Sequence, residues 1–146
     1  MPKYVADTQL VIRAIRYDAE AEKMKTSLSA YSMSVYLSSV VAQELLAGAQ
    51  PDELRRLERA FIRPFEQRGR VVAPTHPSWT RAGNVLRMLR RGGYTITPSL
   101  TNDVLVAVSA VQIGATVVHD NERDYAAIAR QLPSLSHTTT WPATRP

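Results

Sequence analysis

The stretch from Leu100 to Gln131, LTNDVLVAVSAVQIGATVVHDNERDYAAIARQ, decides how the rest of the chain is read. Leu100 to Ile113 is apolar on nearly every face and is predicted to be a largely buried helix, stopped by Gly114. Ala115 to His119 is a short β-type run, and Asn121 has the side chain to cap a helix reaching about Gln131. A buried helix, a strand and a second helix in succession are the signature of a parallel sheet covered on both faces.

The same alternation extends outward. Tyr4-Val5-Ala6 reads as a strand ending at Asp7, followed by a helix over Leu10 to Ile15. Asp18 to Leu28 mixes acids and lysines and is expected to be a solvated helix. Val35 to Ser39 is a second strand, and Val40 to Ala49 a second apolar helix. Asp52 to Gln67 is amphipathic, with Leu54, Leu57, Phe61 and Phe65 on its stripe and Pro64 as a kink or end. Arg70 to Ala73 is a third strand. Pro77 opens a helix expected to bury Trp79, Ala82, Leu86 and Leu89, stopped by Gly92-Gly93. Ser136 to Trp141 offers a last, edge-like strand closed by Pro142. The fold class expected is three-layer α/β/α, with a parallel sheet of four to five strands in a single domain over residues 1–146.

Composition narrows the function. The chain has no cysteine, so disulfides and thiolate metal sites are excluded. Its formal charge is +5, and arginine far outnumbers lysine, which suits forked contacts to phosphate. The run Val104 to Val118 is too short and too interrupted to span a bilayer. Met1-Pro2-Lys3 leads into a strand without the pattern of a signal peptide, so a cytoplasmic protein is expected.

Three acids fall where polar faces do not explain them, and two more surround a turn. Asp7 ends an apolar strand, Glu44 lies inside Val40 to Ala49, Asp103 opens Val104 to Val108, and Asp120 and Asp124 flank the turn after the fourth strand. Each has a plain structural alternative: a helix cap for Asp7, an exposed helical position for Glu44, a helix-end charge for Asp103, a capping-box acid for Asp124. In open α/β sheets, however, sites lie outside the carboxyl ends of the strands, and these positions can converge on that one edge. Two carboxylates about 4 Å apart repel by roughly 4 kcal/mol at an effective dielectric of 20. Such a group needs protons or a divalent cation, and an all-oxygen donor set favours Mg²⁺ or Mn²⁺.

Four segments carry a family resemblance. Tyr4 to Thr8, Leu37 to Ala49 (LSSVVAQELLAGA), Thr101 to Ala110 and Ala115 to Tyr125 resemble, in order, the four motifs of the PIN-domain nucleases, especially the VapC-type toxins of bacterial toxin–antitoxin pairs. The resemblance places Asp7, Glu44, Asp103 and Asp124 as catalytic and metal-holding acids, with Asp120 as a further candidate ligand. It implies Mg²⁺- or Mn²⁺-dependent cleavage of RNA, a cognate antitoxin and a homodimer. Thr8, Asn121, Arg13, Arg81 and Arg87 are the candidate substrate-binding residues. Two positions depart from the family pattern: Gln9, where Asn is frequent, and His119, where Thr is frequent. His119 is expected to pack or hydrogen-bond rather than ligate. The departures keep open a catalytically inactive RNA-binding or adaptor module. A receiver-type phosphoacceptor lacks its lysine near the last strand, and a related DNA nuclease would use the same acids.

Overall fold

The computed structural model describes residues 2–17, 19, 21, 22 and 34–141. The helix expected over Asp18 to Leu28 lies outside them except at residues 19, 21 and 22. The described elements are β1 (Lys3–Ala6), α1 (Thr8–Arg16), β2 (Val35–Ser38), α2 (Ser39–Gly48), α3 (Pro51–Arg56), a π-helical stretch Leu57–Ile62, α4 (Arg63–Gln67), β3 (Val71–Val72), α5 (His76–Arg91), α6 (Pro98–Gln112), β4 (Ala115–Val118), α7 (Glu122–Gln131) and β5 (Ser136–Thr138).

The five strands form one sheet in the order β3-β2-β1-β4-β5, and every pair is parallel. The chain steps from β1 through β2 to β3, then returns to the other side of β1 for β4 and β5. The direction of winding therefore reverses between β1 and β4, and a crevice opens beyond their carboxyl ends. Ala6 pairs with Val118 at that edge, and the Asp7 N–H donates to the Val118 carbonyl at 2.9 Å. Flat apolar faces on both sides of the strands require cover. Helix α6 supplies it across β1 and β4, and its Val104, Val106, Ala107 and Ala110 are fully enclosed. Gly114, at φ 67°, turns α6 sharply into β4, a backbone conformation that strains any residue with a Cβ.

Three expectations are corrected. Trp79 is 54% exposed and Leu86 only partly covered. The buried stripe of α5 is Ser78, Ala82, Val85 and Leu89, one phase away from the face read in the sequence. Ser78 enters that stripe because its hydroxyl donates to Gln112 Oε1 at 2.8 Å, satisfying it against α6. Leu54 is 40% exposed, and the stripe after it runs through Leu57, Ile62 and Phe65. The π stretch accounts for Ile62 replacing Phe61 on the stripe: Arg63 N–H bonds Glu58 O, five residues back, which widens the turn and shifts the apolar face by one position. Pro64 follows without a break in the first turn of α4, where a missing N–H is tolerated. Helix α6, third, begins at Pro98 with Thr97 as its cap, so Asp103 sits inside the helix and not at its opening.

Candidate active site at the sheet switch point

Asp7 follows β1 directly and caps α1, its Oδ1 accepting from the Thr8 N–H at 2.8 Å. The Thr8 hydroxyl donates to Glu44 Oε1 at 2.8 Å, which ties α1 to the middle of α2. Asp103 comes from the second turn of α6 and is buried. From the β4 side, Asn121 caps α7 and grips Asp124 twice: its Oδ1 accepts from Asp124 N–H at 3.3 Å, and its Nδ2 donates to Asp124 Oδ2 at 2.8 Å. Asp120 is ion-paired with Arg13 at 2.7 Å.

The electrostatics record how closely these groups meet. Burial, then the negative charges of Asp7, Glu44, Asp124 and Asp120, pushes the Asp103 carboxyl up to about 8. Burial is also the main reason the Asp7 carboxyl rises to about 6, with Glu44 and Asp120 adding to it and the Thr8 N–H opposing. The other four acids singled out in the sequence therefore all act on Asp103, and Glu44 and Asp120 act on Asp7 as well, at the crevice between β1 and β4. The helix-cap and exposed-face alternatives for Asp7 and Glu44 are compatible with this: Asp7 caps its helix and joins the group as well.

The other candidates divide. Arg13 reaches the group through Asp120. Arg81 does not: its guanidinium donates to the Ser134 hydroxyl, in the turn leading into β5, at the end of the sheet away from the acids. Arg87 is exposed on α5, and no ion pair or hydrogen bond among the described residues brings it to the group. The single proton of the Thr8 hydroxyl is committed to Glu44, and Asn121 orients an acid, so neither is simply open to a substrate.

A family model for the PIN domain matches residues 4–131. The chain belongs to the PIN-domain family. It is 26% identical over 128 residues to the tRNA(fMet)-specific endonuclease VapC of Shigella flexneri, covering 88% of this chain and 93% of that one. Among solved structures it is similar to the DNA-bound VapBC of Salmonella typhimurium, with a TM-score of 0.72, 23% identity, and coverage of 94% and 98% of the two chains. It is also similar to FitAcB of Neisseria gonorrhoeae, with a TM-score of 0.72, 18% identity, and coverage of 96% and 99%.

A divalent ion fits this PIN site by the chemistry of its donors. Five carboxylates offer oxygen alone, and burial together with neighbouring negative charge raises two of them, a balance that a divalent cation would reverse. A second group of metal-binding residue types, His119, Glu122 and His137, has donor atoms within 4.8 Å of one another. Its hydrogen bonds argue against an ion. The Asn121 N–H donates to His119 Nδ1 at 3.0 Å, so His119 carries its proton on Nε2, which faces His137 Nδ1 at 2.9 Å. Both nitrogens of His119 are thereby used, and burial and His137 together hold its pKa below the ordinary value. His119 is thus the packing and hydrogen-bonding residue the sequence suggested.

Sequence reasoning missed two members of the PIN site's surroundings. One is the His119–His137 pair, which depends on β5 lying beside β4. The other is the Tyr125 ring, stacked on His119 with centroids 4.1 Å apart and fully buried. The aromatic position was legible as part of the fourth motif; the direction of its hydroxyl was not.

Proposed function

We propose that this PIN-domain protein is a Mg²⁺- or Mn²⁺-dependent endoribonuclease and the toxin of a toxin–antitoxin pair. The observation that carries the reading is the placement of Asp7, Glu44, Asp103, Asp120 and Asp124 around one crevice, where burial first and then the charges of the other four raise Asp103 to about 8. Asp7, Glu44, Asp103 and Asp124 hold the ion, directly or through water. When bound, it supplies Lewis acidity toward a phosphodiester and lowers the pKa of attacking water. Asn121 and Thr8 keep Asp124 and Glu44 in place. Arg13, half exposed beside Asp120, is the guanidinium placed to meet an RNA phosphate next to the acids. The relative in Shigella flexneri, named as acting on a transfer RNA, favours RNA over DNA as the substrate class. The partner antitoxin, the homodimer and a cytoplasmic location follow from the VapC resemblance. No helix among the described residues is long and apolar enough to cross a membrane.

The departures at Gln9 and His119 do not favour an inactive module. Gln9 is exposed, His119 is held by its own bonds, and neither removes a carboxylate. The test is cleavage of RNA and sequence-matched DNA by purified protein with Mg²⁺, Mn²⁺ or EDTA. RNA cleavage abolished by EDTA supports the reading. Cleavage that persists in EDTA, or none with either ion, overturns it.

A further inference from the structure

The Tyr125 hydroxyl is buried and has no hydrogen-bond partner among the described residues. Leaving such a group unpaired costs about 1–3 kcal/mol. Packing alone would be served by a phenylalanine ring, which brings no polar atom to desolvate.

The ring has little freedom to seek a partner elsewhere. It lies on His119 with an interplanar angle of 17°, and His119 is pinned at both nitrogens, by the Asn121 backbone and by His137. Burial first, then the charges of Asp7, Asp103 and Glu44, hold the phenol well above its ordinary pKa, and Asp7 is the carboxyl with which it can share a hydrogen bond. Asp7 already receives one fixed donor, the Thr8 N–H on Oδ1. A second donor would fix the plane of its carboxylate, which one bond leaves free to turn.

We propose that Tyr125 is a positioning residue that donates its hydroxyl to the Asp7 carboxylate when a divalent ion occupies the acid group, orienting Asp7 as a ligand. The inference rests on the metal site proposed above. The stacked His119–His137 pair is the mount that holds the phenol in line. The arrangement is that of a metal ligand held from behind by an outer hydrogen bond, and loss of such a bond weakens metal affinity by about 10- to 100-fold.

The experiment is calorimetric titration of Mn²⁺ into the wild-type protein and Tyr125→Phe at one fixed pH, with thermal unfolding of both in EDTA. The expected result is Mn²⁺ affinity weakened by about 10-fold or more in the variant. Its metal-free melting temperature should equal or exceed that of the wild type. Affinities within twofold of each other overturn the proposal, as does a metal-free variant that melts well below the wild type, which would make the hydroxyl a part of the fold. Wild-type protein that binds no Mn²⁺ sinks the metal site itself; binding by both proteins alike sinks only the role of Tyr125.

Discussion

The Thr8 hydroxyl donates to Glu44 Oε1 across 2.8 Å, and this bond couples the start of α1 to the centre of α2 at the edge of the acid group. Glu44 is only partly covered, so without that donor its side chain is free to turn toward solvent. Thr8→Val should leave the fold intact and lower the metal-dependent cleavage rate by about 10-fold or more, whereas Thr8→Ser should restore most of it. Steady-state cleavage at saturating Mn²⁺, with circular dichroism on both variants, checks this. Equal rates for Val and Ser would remove Glu44 orientation from the account.

The raised acids give a signed pH dependence. Asp103 titrates near 8 and Asp7 near 6 in the folded chain, against an ordinary value of 3.8. Between about pH 4 and pH 8 the folded state binds more protons than the unfolded state, so stability without metal falls as pH rises through that window. A divalent ion removes the repulsion but must displace protons at low pH. The gain in melting temperature on adding Mn²⁺ should therefore be larger at pH 8 than at pH 5. Differential scanning fluorimetry at the two pH values, with Mn²⁺ and with EDTA, reads it; a larger gain at pH 5 contradicts the assignment.

Asp103→Asn should separate stability from activity. The amide removes the charge most strongly opposed by its neighbours, so the metal-free variant should melt above the wild type at pH 8. It also removes a ligand, so cleavage should be lost. A destabilised variant that still cleaves would place Asp103 outside the chemistry.

The arginines divide on geometry. Arg13→Ala should weaken RNA cleavage, because its guanidinium stands beside Asp120 at the acids. Arg81→Ala should not, because Arg81 is engaged with Ser134 at the far end of the sheet. Its effect on stability should also be within about 0.5 kcal/mol, as for other surface changes. Kinetics on the two variants with one RNA substrate decide between these positions.

These outcomes also mark what the sequence made legible. Asp7, Gly114 and Asn121 announce themselves because a strand end, a left-handed stop and a helix cap are decided within a few residues. The acids were legible as candidates because Asp7 ends an apolar strand, Glu44 and Asp103 adjoin apolar helical runs, and Asp120 and Asp124 flank the turn after a strand. The buried phase of α5 was not: helical spacing fixes which residues share a face, but Trp79 and Ser78 are told apart only by what α6 presents, here Gln112. The π stretch before Pro64 shifts a stripe that periodicity assumes constant. The Arg13–Asp120 pair and the His119–His137 pair join distant segments, and no local pattern encodes them.

The most direct measurement is anomalous diffraction from crystals of the protein grown or soaked with Mn²⁺. The account predicts a manganese peak among the carboxylates of Asp7, Glu44, Asp103 and Asp124, with oxygens as its protein ligands. A peak between His119, Glu122 and His137 instead, or none at any carboxylate under saturating Mn²⁺, would contradict it.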